Sequence, residues 1–238
     1  MALSNLELYS FLFGSLGTLV FTYFWGRYFK LGLDEKDKVQ ALHNSNSYRI
    51  GGIINIIFII ILVFIFDIFN EFPIFIIFFT PLILISTWED FFQTVSVKIR
   101  FLIIFFTALV LVYSSESYLR DIDVIFLENI FANTFLSIVL TSFGILVACN
   151  AWNFIDGVNG LSSGLGAITL IIFTIISGEM YVEGFSEFLS ICAYVFLGFA
   201  TFNLITGKIF LGDTGSYFLG ILIGWSGVLI VKYNIEFS

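Results

Sequence analysis

Charge is what this sequence has least of: Asp, Glu, Lys and Arg make up only 12% of its 238 residues. It also has one histidine, two cysteines and two prolines. A single histidine excludes a histidine-clustered zinc centre. The two thiols, Cys149 and Cys192, lie in apolar runs without metal or redox spacing and read as buried and inert. No basic stretch with a small-residue cleavage site opens the chain, so its first apolar block reads as a retained helix. Neither a P-loop nor a G-x-G-x-x-G fingerprint is present.

What fills the chain is apolar surface. Hydrophobic residues make up 59%, 32 of the residues are phenylalanine, and mean hydropathy is +1.03. That predicts an all-α, polytopic helical membrane protein forming one domain over 1–238. Apolar blocks of this length are too long for the alternating strands of a β-barrel. Eight spans are expected, near 8–26, 50–69, 72–88, 100–114, 134–149, 163–178, 188–206 and 216–232. Pro73 and Pro81 are expected to kink or shorten the third. The connecting segments then alternate sides. One set carries Arg27, Lys30, Lys36, Lys38, Arg49, Lys98, Arg100 and Lys208; the other carries only Arg120 and Lys232. That asymmetry puts the first set in the cytoplasm and the N-terminus outside.

The segments rich in Asn, Asp, Gly and His all fall on that same side. Asn150, Asn153 and Asp156 are three apart and share a helical face, with Gly157 and Gly160 turning the chain beyond them. Glu89 and Asp90 end the third span, and since adjacent helical residues point about 100° apart, only one is expected to aim at a given centre. An acidic cap paired with Lys98 or Arg100 is the plainer reading of that pair. Arg49 precedes Gly51-Gly52 and either snorkels to lipid phosphate or holds a ligand phosphate beside that backbone. Gly212-Asp213-Thr214-Gly215-Ser216 opens the last span, where free backbone N–H groups suit an anion and the carboxylate suits a metal, or Asp213 is simply a helix cap. Four carboxylates with several cations favour a hard divalent ion, Mg²⁺ or Mn²⁺, together with phosphate. Phosphoryl transfer at the membrane surface is what this inventory suits.

The run N-x-x-N-x-x-D-G-x-x-G-L at Asn150 to Leu161, followed by F-L-G-D-x-G-S-x-x-L-G at Phe210 to Gly220, resembles the polyprenyl-phosphate N-acetylhexosamine-1-phosphate transferases. That superfamily includes the undecaprenyl-phosphate GlcNAc-1-phosphate transferases and the phospho-MurNAc-pentapeptide translocase. His43, Arg49-x-Gly51-Gly52, Glu89-Asp90, Asn203 and Gly207-Lys208 fit its other elements in order, so the likeness runs from about 26 to 222. The resemblance implies transfer of a sugar 1-phosphate, such as GlcNAc 1-phosphate, from a UDP-sugar to polyprenyl phosphate with release of UMP. Such a reaction would serve cell-wall or surface-polysaccharide synthesis at the cytoplasmic face of the inner (plasma) membrane.

By the same resemblance Asp156 would be the magnesium ligand, Asp213 would support metal or diphosphate, and Asp90 with Glu89 would position or deprotonate the lipid phosphate. Asn150 and Asn153 would contact the nucleotide. His43, Arg49, Lys98, Asn159, Lys208, Gly212 and Ser216 complete the expected substrate contacts. No nucleic-acid partner is expected; the many large apolar surfaces leave room for a homodimer. A face of Gly220, Gly224 and Gly227 could pack on another helix, an internal neighbour being favoured.

Three departures stand out. Asn46 and Tyr48 replace loop prolines, and Glu89 replaces an aspartate. Relatives of this kind also continue into further helices with a histidine-rich loop, whereas this sequence has no histidine beyond His43 and reads as C-terminally short. The alternatives are therefore an incomplete member that binds lipid or nucleotide-sugar or serves as a scaffold, and an ion-coupled transporter using Asp156 and Asp213.

Overall fold

A computed structural model describes residues 4–29, 31–34, 47–68, 77–120, 131–178 and 184–236. Among them are eight helices, which we number α1 (Asn5–Tyr28), α2 (Gly51–Ile65), α3 (Thr80–Phe92), α4 (Val97–Ser114), α5 (Thr134–Ile155), α6 (Leu161–Ser177), α7 (Phe185–Thr206) and α8 (Gly212–Glu236). Each expected span overlaps one helix, the third (72–88) only from Thr80 onward, its residues 72–76 lying outside the described ones. Five of them, α1, α4, α5, α7 and α8, are long and apolar enough to cross a membrane, and the protein is a polytopic membrane protein. At about 1.5 Å per residue α2 reaches about 22 Å and α6 about 26 Å, short of a hydrocarbon core of about 30 Å.

Local chemistry explains the ends. Ser4 and Glu7 form a reciprocal capping box at the start of α1. Pro81 sits in the first turn of α3, where its missing N–H is harmless, so it begins this helix instead of kinking it. Pro73 lies outside the described residues. Gln93, in the left-handed region, ends α3, and Ser96 caps α4 three residues later. Asn133 caps α5.

Deep burial concentrates on α7 and α8, which hold Phe196, Phe199 and Trp225 among the largest fully buried side chains. Helices close on one another where glycine removes a side chain. A Cβ on Gly220 would stand 2.6 Å from Cys149 Cα, so α8 lies directly on α5, and Gly224 faces Ile145 one turn on. The glycine face thus packs internally. Both cysteines are buried free thiols.

The helices alternate in direction. One end of the bundle gathers the C-terminal ends of α3, α5 and α7 and the N-terminal ends of α2, α4 and α8. A backbone ribbon crosses this end. β1 (Leu33–Asp34) pairs antiparallel with β2 (Ser47–Tyr48), and Tyr48 pairs in turn with Ile209. Beyond it, the N–H groups of Gly51 and Gly52 donate to the carbonyls of Phe210 and Leu211 at 2.9 and 2.8 Å. The ribbon therefore fastens the start of α2 to the start of α8.

Candidate functional site

The first N–H groups of any helix lack intrahelical partners. In α8 they are satisfied by carboxylates from two other segments. Gly212 N–H donates to Asp156 Oδ2 at 3.0 Å, while Asp213 N–H and Thr214 N–H donate to Asp90 Oδ1 and Oδ2 at 2.7 and 2.9 Å. The Thr214 hydroxyl also donates to Asp90 Oδ2 at 2.6 Å. Two anions at a helix N-terminus match its dipole. Gly212 has φ +69°, and a Cβ there would stand 2.6 Å from Asp90 Oδ1. The sequence suggested free N–H groups for a ligand anion at this helix; they are instead occupied by the protein's own Asp90 and Asp156. The amides of Gly51 and Gly52 are likewise spent on Phe210 and Leu211, so they offer no phosphate cradle beside Arg49.

Asp213 points the other way from its backbone and is 1% exposed. Its Oδ1 accepts from Arg49 Nη2 at 2.7 Å and from Asn153 Nδ2 at 3.1 Å, and its Oδ2 is ion-paired with Arg100 Nη1. Both oxygens are engaged by protein groups, so among the described residues Asp213 is held by cations and an amide. It is the anchor that draws α2, α4 and α5 onto α8. Nor is it the cap of its own helix; that task falls to Asp90, which lies 3.7 Å from Arg49 Nε.

Asp156, just past the end of α5, differs. It keeps part of its surface open, accepts the Gly212 N–H and makes no ion pair among the described residues. Protein atoms nevertheless crowd it. That desolvation, offset by the Gly212 N–H and the more distant Arg49, holds its carboxyl well above the usual range. Asn153 joins Asp213 to the buried Ser216, whose hydroxyl accepts from Nδ2 at 2.8 Å and donates to Gly212 O. Asn150 is turned back on its own helix, donating to Leu146 O at 2.8 Å.

Of the adjacent acids, Asp90 aims at the centre and Glu89 at the edge. Glu89 Oε2 accepts the Val95 N–H at 2.7 Å and Oε1 stands 3.8 Å from Arg100 Nη1. Its extra methylene therefore alters a loop clasp, not the core of the cluster. Lys98 and Asn159 are exposed near the rim, with Asn159 packed against Gly207. Lys208 lies on another face, lining a groove with Tyr48. His43 falls outside the described residues.

Three contributors were not expected as site residues. Arg100 was read only as a counter-charge for the acidic pair, Thr214 only as a neighbouring hydroxyl, and Asn203 only as part of a pattern. Asn203 accepts the Gly160 N–H and donates to Ile209 O, fixing the turn after Asp156 to the chain before Asp213. A polar residue near the end of a long apolar helix was the available signal.

The donor set bears on the kind of ion that could be held. Among the described residues no three His, Cys, Asp or Glu side chains are arranged to enclose a metal. Magnesium, however, takes one or two carboxylates and fills its remaining positions with water and substrate phosphate. Asp156 is partly open, makes no ion pair among the described residues and lies within electrostatic reach of Asp90 and Arg49, which fits a divalent cation held by a single protein ligand.

Motif and geometry agree with sequence comparison. Residues 72–231 match the Glycosyl transferase family 4 pattern. The chain belongs to that family. Its members are polyprenyl-phosphate sugar-1-phosphate transferases. A Saccharolobus solfataricus protein, provisionally named a UDP-N-acetylglucosamine–dolichyl-phosphate N-acetylglucosaminephosphotransferase, is 32% identical over 126 residues, covering 47% of this chain and 38% of its own. A Sulfolobus acidocaldarius protein of the same provisional name is 32% identical over 104 residues, 42% of this chain and 31% of its own. The phospho-N-acetylmuramoyl-pentapeptide-transferase of Acetivibrio thermocellus is 38% identical over 90 residues, 36% of this chain and 26% of its own. The matches thus span well under half the length of these relatives.

Proposed function

We propose that this chain is a transferase domain that moves a sugar 1-phosphate from a UDP-sugar to a polyprenyl phosphate, releasing UMP. An oxygen of the lipid phosphate bonds to the β-phosphorus, the bond from that phosphorus to the bridging oxygen breaks, and UMP leaves with the electron pair. The observation that carries this reading is the meeting of Asp90, Asp156 and Asp213 with Arg49 and Arg100 at one end of the bundle, Asp156 being the one carboxylate of the three that is partly open.

Asp156 would hold Mg²⁺ or Mn²⁺, which when bound neutralises diphosphate charge. The protein's own share is positioning and electrostatics, as phosphoryl transfer requires. Asp90 and Asp213 fix the start of α8 so that Asp156 stands at a set depth. Lys98 and Asn159, both exposed, would meet phosphate and nucleotide. A phosphate monoester has its second pKa near 6 and needs no protein base at neutral pH. Asp90, spent on two backbone N–H groups and a hydroxyl, is accordingly read as a positioning residue.

N-acetylglucosamine is favoured as the sugar because two archaeal relatives carry it in their names. Among the described residues Arg27, Arg49, Lys98, Arg100 and Lys208 lie at the charged end, and Arg120 and Lys232 toward the other. That bias supports a cytoplasmic site in the plasma membrane and an outer N-terminus. The position of Asp156 and Asp213 at helix ends argues against a midplane ion path.

The test is UMP release from a panel of UDP-sugars with polyprenyl phosphate and Mg²⁺. We expect lipid-dependent UMP for at least one UDP-N-acetylhexosamine, abolished by Asp156→Asn in a folded protein. Silence across the panel would favour a lipid- or nucleotide-sugar-binding role without turnover.

A further inference from the structure

On the flank away from the charged cluster, α1 and α7 touch closely and then part. At the crossing, a Cβ on Gly14 would stand 2.1 Å from Val195 O and one on Gly198 2.3 Å from Phe11 O, so the two backbones are in contact. Toward the charged end they separate around a groove of about 510 Å³, within the roughly 300–1,000 Å³ usual for ligand pockets.

Extended backbone divides this groove from the proposed transfer site. Tyr48 lines the groove while its neighbour Arg49 reaches Asp213, as successive residues of an extended chain do. The groove is also graded along its length. From Leu19 to Gly26, α1 advances about 10 Å toward the charged end. Leu19 and Phe202 line the deep part, and the Tyr48 hydroxyl and Lys208 line the rim. A Cβ on Gly26 would lie 3.4 Å from that hydroxyl, which places it over the last turn of α1. Exposed Tyr23, Phe24, Tyr28 and Phe29 surround the same level, as aromatic side chains do at headgroup depth.

Charge selects the occupant. The C-terminal ends of α1 and α7 both point here and carry partial negative charge. Lys208 reverses that sign: it is exposed and makes no ion pair among the described residues. Among the described residues that line it there is no carboxylate to take the amine of a zwitterionic headgroup. We infer that the groove holds a membrane phospholipid with an anionic headgroup, its chain along Leu19 and Phe202 and its phosphate between Lys208 and Tyr48.

Native mass spectrometry of the full-length protein tests this, using equimolar phosphatidylglycerol and phosphatidylcholine with identical chains. One basic side chain near a membrane surface contributes about 1 kcal/mol, so wild type is expected to retain phosphatidylglycerol with about fivefold preference. Lys208→Glu should erase the preference, and Leu19→Trp, which fills the groove, should lower retention of both lipids. Lys208 is exposed, so the charge reversal leaves the fold intact, with the thermal midpoint as the check. Equal retention of the two lipids by wild type, or retention unchanged in both variants, would overturn the inference. So would displacement of the bound phosphatidylglycerol by equimolar polyprenyl phosphate, or a dimer whose interface closes the groove.

Discussion

Asp90→Ala separates a structural carboxylate from a reacting one. Asp90 is 2% exposed and accepts two backbone N–H groups at the start of α8 and the Thr214 hydroxyl. The hydroxyl can turn to Thr87 Oγ1, 3.2 Å away, so its loss costs little. The two N–H groups have no such recourse. Each buried donor left unsatisfied costs about 1–3 kcal/mol, giving roughly 2–6 kcal/mol, with entering water pulling the figure toward the lower end. Asp90→Asn keeps one acceptor oxygen and turns an amide donor against the second N–H, so it is expected to fall between wild type and alanine. The assay is the denaturant midpoint in detergent micelles, followed by tryptophan fluorescence (Trp152 and Trp225 both lie on helices that meet α8 or belong to it). Wild-type stability in Asp90→Ala combined with lost UMP release would refute the capping role and return Asp90 to the chemistry.

Other expectations follow from the same contacts. Gly52→Ala puts a Cβ 2.1 Å from the Gly215 backbone nitrogen and should cost about 3 kcal/mol or more, or prevent folding; Gly144→Ala, with nothing within 4 Å, should be neutral or mildly stabilising in the same unfolding series. Arg100→Ala strips one oxygen of the buried Asp213 of its charged partner and should cost about 1.5–3 kcal/mol, partly recovered by Arg100→Lys, because one ammonium replaces one point of a fork. The raised carboxyl of Asp156 works against folding as it ionises. Its contribution to metal-free stability therefore falls as pH rises above the usual carboxylate range, and Asp156→Asn should flatten that part of a pH–stability curve. Divalent-ion affinity should move oppositely, weakening as pH is lowered and Asp156 takes up its proton.

Much of this was legible in residue order. Hydropathy located all eight helices, and the parity of the connecting segments placed Arg49, Asp90, Asp156 and Asp213 at one end of the bundle. The assignment of tasks among them was not legible. Asp90 and Asp156 cap a helix that begins more than fifty residues further along the chain, and capping across such separations leaves no local pattern. Asp213 beside two glycines looked like a cap or a ligand, yet the deciding fact is the arrival of Arg49 from α2 and Arg100 from α4. Gly51-Gly52 looked like a phosphate turn because glycine permits close approach; what approaches is the backbone of Phe210, Leu211 and Gly215. Of the two effects expected of Pro81, kinking or shortening, the helix shows a late start with Pro81 in its first turn, a choice that depends on where the helix begins.

The most direct measurement is electron paramagnetic resonance of Mn²⁺ bound to the full-length protein with UDP, comparing wild type, Asp156→Asn and Glu89→Gln. Asp156 as the ion's protein ligand predicts a protein-bound Mn²⁺ signal in wild type and Glu89→Gln that is lost in Asp156→Asn. A bound signal that survives Asp156→Asn in the folded protein would contradict that assignment.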